Sequence, residues 1–382
     1  MSHVTSVSSG LDVRPLTASE LSRGALVAWR ELASHGSASA PFVDEAWVVS
    51  WIEAFQPSEP LLLGTWDDDR LVGFAALQRL TEHWARRKIA VVQSLTNVEC
   101  TRFDFLSAPG QPEVQERLWR FVCEAGADVI RLDHLPEGSS TLSTGLRIAA
   151  ELGWRSHVEQ TFDSPWRPLA PPPAAWDEGL TRKFKSNLRN REHRLQALGD
   201  VSFEVATAAS GLERALQAYY DLDSASWKSQ HGTAVFQQAN VKTFYDRLVE
   251  RAPDQVWIPL LSVRGTPAAA HFLLVRDGIM FLQKTAYNLE FAPYTPGQLL
   301  TARLIRYGLE RGMTALDFLA ANMTWKSDWA PQLRPHYRLL LFAPSMNGRY
   351  AYWTRYGLRE GAKRIPGLRR AVHALSGRGN GR

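Results

Sequence analysis

The sequence predicts a mixed α/β protein that consists of two tandem copies of one unit, each a mixed sheet flanked by helices. The second copy is the clearer one. A turn at Tyr294-Thr-Pro-Gly-Gln-Leu-Leu300 precedes an amphipathic helix over residues 301–311, which ends at Gly312. Residues 313–319 then form a short apolar strand. The same succession occurs in the first half, and self-similarity over such a distance indicates a duplicated unit.

In the first half, Pro109-Gly-Gln111 precedes a helix, Gly126 ends that helix, and residues 128–135 form a strand that contains Asp133. Two strands joined by a short turn lie upstream in both copies. The pairs of strands are residues 61–66 with 71–80 in the first copy and residues 257–263 with 267–275 in the second. Each copy is therefore predicted to contain a hairpin, a helix and a strand in that order.

The two helix starts differ in charge. Pro112, which lacks an N–H group, and the acids Glu113 and Glu116 lie in the first helical turns of copy one. The corresponding turn of copy two contains no acid, and a helix N-terminus with free N–H groups attracts anions. We therefore predict an anion site in copy two. Its residues are Pro296, Gly297, Gln298, Leu299, Leu300 and Thr301.

Composition agrees with a soluble globular protein, because the 382 residues are 45% hydrophobic and 22% charged. No apolar run reaches the length of a membrane span, and residues 1–10 lack the apolar stretch of a secretory signal. Two cysteines, Cys100 and Cys123, are too few for a disulfide framework or a metal cluster. We expect a cytoplasmic protein. No His and Cys residues have the spacing of a zinc site, so the sequence predicts no metal ligand set.

The remaining elements follow from local patterns. Residues 1–40 read as a leader with a short helix around residues 16–32. The next helix, residues 41–55, places Trp47, Trp51 and Phe55 on one core-facing stripe. The proline-rich residues 165–173 read as the linker between the copies. The predicted domains are residues 1–165, 174–345 and a basic tail, 346–382.

After the linker, residues 182–198 form a strongly basic helix whose apolar side contains Phe184 and Leu188. Residues 211–228 form another helix. Arg276-Asp-Gly278 is a hairpin signal between two strands, and residues 337–343 form a late strand.

Five segments of the second half occur in a recognisable order. They are Lys183-Phe-Lys-Ser-Asn-Leu-Arg-Asn-Arg191, Ser226-Trp-Lys-Ser-Gln-His-Gly232, Gly265-Thr-Pro-Ala-Ala-Ala270, Tyr294-Thr-Pro-Gly-Gln-Leu-Leu300 and Leu316-Asp-Phe-Leu319 followed by Lys326 and Trp329. In this order they resemble the GNAT acyltransferases, and more narrowly the subgroup named after the cellulose-biosynthesis protein CelD, which is related to the FemAB peptidyltransferases. The likeness covers roughly residues 176–345 and, more weakly, residues 41–165. Tyr294-Thr-Pro-Gly-Gln replaces the usual GNAT glycine-rich loop.

The resemblance implies transfer of an acyl group from acyl-CoA, with acetyl-CoA the expected donor, to an amine. It implies a sugar or a small metabolite of polysaccharide or envelope synthesis as the acceptor. In such enzymes, two splayed strands hold the pantetheine and a helix N-terminus holds the pyrophosphate. Catalysis then consists of positioning the two substrates and removing a proton from the amine.

Three residues are candidates for the proton transfers. Asp317 ends the strand after the anion-site helix, where a carboxylate can act as base or take part in an ion pair. His271 lies within a strand, where a histidine is either catalytic or a hydrogen-bonded core residue. Tyr287 is a candidate for protonating the leaving thiolate.

Trp227, Lys228 and Lys326 are the candidates for substrate binding. Trp227 and Lys228 form an aromatic and basic cluster with His231, a composition that suits a substrate wall or a helix end equally well. Lys326, between Trp325 and Trp329, can contact a phosphate or a carboxylate.

Two other functions stay open at this level. A FemAB-like transferase would take an aminoacyl group from tRNA, and the basic helix over residues 182–198 is the surface that such a substrate requires. A non-catalytic scaffold in a membrane-associated synthase is the other. The tail, with Arg355, Arg359 and Lys363 among apolar residues, predicts weak peripheral contact with an anionic membrane.

Overall fold

A computed structural model describes residues 10–16, 23–35, 40–169, 176–225 and 238–357. Within these residues, thirteen strands form one continuous mixed sheet. The strands are β1 (Leu11–Pro15), β2 (Pro60–Asp67), β3 (Arg70–Trp84), β4 (Arg87–Ser94), β5 (Leu106–Ser107), β6 (Val129–Pro136), β7 (Arg155–Pro168), β8 (Val201–Ala206), β9 (Val256–Val263), β10 (Thr266–Arg276), β11 (Ile279–Tyr287), β12 (Ala315–Asp317) and β13 (Gln332–Phe342).

Helices pack on both faces of this sheet, so the predicted mixed α/β fold is confirmed. The helices of the described residues are α1 (Arg23–Ser34), α2 (Ala40–Val43), α3 (Glu45–Phe55), α4 (Pro112–Glu124), α5 (Ser140–Glu151), α6 (Arg182–Gln196), α7 (Leu212–Ser224), α8 (Ala239–Arg251), α9 (Pro296–Glu310), α10 (Thr324–Ser327) and α11 (Met346–Tyr352).

The strand order shows the duplicated unit. It runs β1-β2-β3-β4-β6-β13-β7-β12-β11-β10-β9-β8, with β5 paired to β3 off this path. In each half an antiparallel meander ends in a parallel pair, β4 with β6 and β11 with β12. The helix between the two parallel strands is α4 in the first half and α9 in the second. The predicted hairpin, helix and strand are therefore present in both copies.

The hairpin predicted at Arg276-Asp-Gly278 connects β10 and β11. Asp277 and Gly278 have φ angles of 50° and 74°, the two left-handed positions of a type I′ turn. Glycine adopts such a φ without steric cost and aspartate tolerates it better than most residues. This turn sets the register from Arg276 opposite Ile279 to Leu273 opposite Leu282, and a bulge between Phe272 and Leu273 then places His271 opposite Thr285.

One strand of the second half lies inside the sheet of the first. β13 pairs on one side with β6 and on the other with β7, and β7 in turn pairs with β12. The sheet is thus continuous across the proposed boundary between the copies, and the division at residues 165 and 174 stays a prediction.

Two sequence-based expectations differ from the structure. Pro165 and Pro168 belong to β7 and not to a linker. Proline has no N–H group to donate, but its carbonyl can still accept a hydrogen bond. The Pro165 carbonyl accepts one from Phe318 N at 3.0 Å, and in this way Pro165 takes part in the strand. Within residues 1–40, Leu11–Pro15 forms an edge strand that pairs with β2. The sequence analysis predicted only a short helix in this segment.

The tryptophan stripe of α3 is a core element, as expected. Trp47 and Trp51 are buried, and the Trp47 ring lies 4.8 Å from that of Phe244 on α8. A helix of the first half therefore packs on a helix of the second. Near the C-terminus, Tyr356 is buried against Phe342 of β13. Residues 358–382, most of the predicted tail, lie outside the described residues, and no described helix is both long and apolar enough to cross a bilayer.

A buried ion pair connects the two halves at the centre of the sheet. Arg102, from the segment between β4 and β5, donates to the Asp317 carboxylate at the end of β12, and both side chains are at most 2% exposed. Asp317 Oδ1 also accepts from Ser164 Oγ at 3.2 Å and from Leu319 N at 2.8 Å. A buried charge requires such partners, because leaving it alone costs several kcal/mol.

We expect Arg102→Met to lower the free energy of unfolding by about 3–5 kcal/mol, because Asp317 would remain buried without its cation. Urea denaturation measures this loss. Arg70→Met is the control, since Arg70 pairs with Asp67 at the exposed surface at 3.4 Å, and its loss should cost at most about 1 kcal/mol. Equal losses in the two variants would contradict a structural role for the buried pair.

A second prediction concerns acid stability. His336 of β13 is fully buried, its Nδ1–H donates to Arg334 O, and its ring stacks on Phe162 at 4.8 Å. Burial, with the nearby Arg102 charge, lowers the pKa of His336 from 6.5 to about 3. The unfolded chain takes up a proton near pH 6.5 and the folded chain does not, so this contribution to stability is present above pH 6.5 and is lost as the pH falls toward 3.

The expected slope from this residue is about 1.4 kcal/mol per pH unit. His336→Phe keeps the ring contact with Phe162 and removes the titration, so the variant should lose less stability than the parent protein between pH 6.5 and pH 4. Chemical denaturation at a series of pH values tests this, with exposed His83→Phe as the control. An unchanged slope in His336→Phe would refute the assignment.

Candidate functional site

The two parallel strands of the second half separate after three residue pairs. β11 pairs with β12 over residues 279–281 and 315–317, and β11 then continues to Tyr287 without β12 beside it. Among the described residues, no strand of the sheet pairs with β11 on this side after Phe281, because β12 ends at Asp317. The place where two neighbouring strands separate is one where an extended ligand can enter a sheet.

Helix α9 begins at the end of this opening. Thr295, the residue before it, has a left-handed φ of 48°, and its carbonyl accepts from Gln298 N at 3.0 Å and from Leu299 N at 3.3 Å. Since Pro296 has no N–H, Gly297 supplies the amide that remains at the helix start. Thr295 Oγ1 and Gln298 Oε1 are buried and have no hydrogen-bond partner among the described residues.

These features fit an anionic group. The first turn of α9 contains no acidic residue, as the sequence predicted. A hydroxyl can donate to a phosphate oxygen, and the Gln298 amide can do so through its nitrogen after a flip of its two terminal atoms. In the first copy, by contrast, α4 has Glu113 in its first turn. The difference between the two helix starts therefore holds in three dimensions.

His271 lies directly beneath the start of α9. It is 1% exposed, its Nε2 is 3.1 Å from Thr301 Oγ1, and its Nδ1 donates to Ala270 O at 3.0 Å. Thr301 Oγ1 is also 2.9 Å from Gly297 O. The imidazole thus connects β10 to the first turn of the helix. This geometry suits a residue that positions the helix start.

Asp317 is fully buried, and its two oxygens accept from Arg102, Ser164 and the Leu319 amide. The sequence led us to expect a carboxylate facing a cleft. The contacts instead match the ion-paired alternative, because a carboxylate with its acceptors occupied has little capacity to take a proton from a substrate. Its catalytic role stays a prediction, and the geometry favours a structural one.

Lys326 lies close to Asp317. Its ammonium donates to Leu319 O at 2.6 Å and to Ala321 O at 3.3 Å, and the side chain is 6% exposed. Burial lowers the pKa of this lysine to about 8, although the Asp317 charge acts in the opposite direction. Leu319 and Ala320 both have left-handed φ angles, 51° and 52°. Two such non-glycine residues in succession store strain, which proteins tolerate mainly at functional sites.

Three candidate site residues remain. Tyr287 belongs to β11, whereas Trp227 and Lys228 lie outside the described residues. Tyr287 is partly buried at the end of β11, beyond the pairing with β12, and lies opposite Ala269 in the β10–β11 register. Its role in proton transfer stays a prediction. Trp227 and Lys228 fall within residues 226–237, which the structure does not describe, so their substrate-binding role stays a prediction.

The structure adds a residue that sequence patterns did not indicate. Glu99, from the first half, is 4% exposed and accepts from Tyr245 OH at 2.7 Å and from Lys284 Nζ at 3.0 Å. Gln283 Nε2 donates to the Glu99 carbonyl at 2.6 Å. Gln283 and Lys284 belong to the part of β11 beyond its pairing with β12, so the first half contacts β11 at the opening. An acid in a loop carries no local signal of such a contact.

Comparisons with known proteins agree with this geometry. Residues 182–327 match the family model described as Acetyltransferase (GNAT) domain. No curated protein matches the sequence. Among solved structures, FemX is 11% identical, with a TM-score of 0.58, over 89% of this chain and 98% of that chain.

Two further structures have a similar fold. L-PGS from Bacillus licheniformis is 15% identical, with a TM-score of 0.52, over 90% of this chain and 97% of that chain. A C-terminal domain (DUF2156) assigned to a lysylphosphatidylglycerol synthetase of Agrobacterium fabrum is 12% identical, with a TM-score of 0.54, over 87% of this chain and 95% of that chain. At such identities these likenesses show the fold alone. The match over residues 182–327 is to a GNAT acetyltransferase domain, and it supports the assignment of the protein as an acyltransferase.

Proposed function

We propose that the second copy transfers an acyl group from acyl-CoA, most simply acetyl-CoA, to an amine. The observation that carries this proposal is the opening beside residues 282–287 of β11, which leads to the acid-free start of α9. A ligand with an extended amide chain at one end and a pyrophosphate at the other matches both features. The acceptor class, a sugar or small metabolite of polysaccharide or envelope synthesis, rests on the CelD-like resemblance.

In this proposal each end of the donor has its own partners in the chain. The pantetheine lies in the opening between β11 and β12, beside the part of β11 beyond its pairing with β12. The Gly297 amide, the Thr295 hydroxyl and the Gln298 side chain bind the pyrophosphate, and His271 holds this helix start in place through Thr301. The binding groups are positioned before the ligand arrives, which lowers the cost of ordering it.

The chemical step forms the amide bond and breaks the thioester bond, while the amine releases a proton to water and the thiolate leaves. Tyr287 lies at the opening and is the residue we assign to protonation of the thiolate. Lys326, an ammonium held beside strained backbone, is assigned to substrate binding. Asp317 acts indirectly, because its ion pair with Arg102 holds the end of β12 where the two strands separate.

Thermal denaturation with acetyl-CoA tests binding, since a ligand that binds only the folded state raises the melting temperature. Release of free CoA thiol in the presence of glucosamine, or of other amines tested in parallel, then measures transfer. Binding together with amine-dependent thiol release would support the proposal. The proposal would be refuted if no acyl-CoA raised the melting temperature and none released its thiol.

Gln298→Glu should weaken acetyl-CoA binding by roughly fivefold to tenfold, because it places a negative charge at the positive end of α9 beside the pyrophosphate. Gln111→Glu is the matched control, since Gln111 is the residue before α4 in the first copy. This control should leave the dissociation constant unchanged, as measured by isothermal titration calorimetry. If the two substitutions changed the dissociation constant equally, coenzyme binding at the helix start of the second copy would be contradicted.

A second candidate function is FemAB-like transfer of an aminoacyl group from tRNA, which the exposed face of α6 favours. Six basic residues and one acid, Glu192, lie between residues 182 and 196. Glu192 pairs with Arg303 at 3.1 Å. Arg182, Lys183 and Arg189 are exposed, as is Arg194. Such a face binds phosphates without reading sequence.

If tRNA is a substrate, its affinity should fall steeply as salt rises, and Arg182→Ala/Lys183→Ala should reduce the slope of log K against log salt by about two. The control is Arg86→Ala/Lys88→Ala, which removes two exposed cations of the first half. Filter binding with unmodified tRNA measures both slopes. A slope that is the same in both variants would exclude α6 as the tRNA surface.

A further inference from the structure

A groove between α6 and α9 lies beside the helix start and has no part in the function proposed so far. Its volume is about 160 Å³. Apolar side chains form its floor, and Trp176 forms one wall with Arg306 stacked on the indole ring at 4.1 Å. The floor residues are Leu188 of α6 and Leu299 and Ala302 of α9. The groove thus combines an aromatic face with an apolar base.

The groove is also positively charged. Two of its four cations have carboxylate partners, Lys185 with Asp177 at 3.5 Å and Arg303 with Glu192 at 3.1 Å. The guanidinium groups of Arg189 and Arg306 pair with no carboxylate in the part of the chain that the structure describes. Two such groups around a concave site favour an anion, and the planar guanidinium matches a phosphate.

The position of the groove limits the size of its ligand. Leu299 lines the groove and lies two residues after Gly297, so the groove starts ~3 Å along the helix axis from Gly297. A ligand that places a pyrophosphate at the helix start can therefore extend its other end into the groove. That end should be aromatic and should contain a further phosphate.

We propose that the groove binds the adenosine 3′-phosphate end of the acyl-CoA donor. The adenine lies against Trp176, and Arg189 and Arg306 contact the 3′-phosphate. This inference rests on the proposed function and adds to it a specific role for α6 in recognising the nucleotide. The same residues would make the enzyme discriminate CoA from dephospho-CoA, which lacks only that phosphate.

Three ligands separate the possible outcomes. Adenosine 3′,5′-bisphosphate is the binding probe, measured by isothermal titration calorimetry. Acetyl-CoA and acetyl-dephospho-CoA are compared as donors, and S-acetyl-N-acetylcysteamine serves as a donor without a nucleotide. Arg189→Met and Arg306→Met are the test variants, because methionine retains an apolar stem of similar length. Arg311→Met is the control, since Arg311 stacks on Tyr307 at 3.4 Å at the end of the same helix, outside the groove.

Each test variant should weaken binding of the bisphosphate and raise the KM for acetyl-CoA by about tenfold, the loss of one charge-assisted contact. The kcat should not change, and transfer from S-acetyl-N-acetylcysteamine should be the same in all variants. The preference for acetyl-CoA over acetyl-dephospho-CoA should disappear. Arg311→Met should behave as the parent protein.

The inference is overturned if the two test variants bind the bisphosphate as the parent protein does, or if they keep the preference for acetyl-CoA. It is also overturned if the parent protein binds an RNA oligonucleotide ending in adenosine more tightly than the bisphosphate, which would make the groove an RNA site. If the bisphosphate binds through Arg189 and Arg306 but no thioester reacts, the nucleotide site in the groove is supported and the proposed acyl transfer is refuted.

Discussion

The structure depends on the buried ion pair between Arg102 and Asp317, because this contact connects the two copies at the point where the second one opens. Both charges are removed from water, so each requires the other. β13, which lies between two strands of the first copy, makes the same connection through the backbone. The two copies consequently form one sheet. One hydrophobic core contains residues of both copies, among them Trp47 and Phe244.

The two copies share one arrangement and differ in charge. Both have a parallel pair of strands with a helix between them, but only the helix of the second copy starts without an acid. The segment of the first copy after β4 places Glu99 against Lys284 and Tyr245 at the opening. The first copy thus contributes side-chain contacts to β11 of the second copy.

Buried polar groups around the opening indicate which residues hold the site and which are available to ligands. Asp317 and His271 have protein partners for their polar atoms, as expected of groups that maintain the backbone positions. Thr295 and Gln298 have buried polar atoms without partners among the described residues, and such atoms are costly unless a ligand satisfies them. The strained Leu319–Ala320 backbone lies on the other side of the opening, beside Lys326.

The sequence by itself determined the duplicated unit, the hairpin at Asp277-Gly278 and the acid-free helix start, because turn chemistry, periodicity and helix-end charge are local properties. Only the tertiary structure decided that Pro165 belongs to a strand, that Asp317 is buried against Arg102, and that Glu99 lines the second copy. These features depend on contacts between residues that are distant in the chain. No local sequence pattern indicates such contacts, because the packing of distant elements determines which groups lie beside a buried charge.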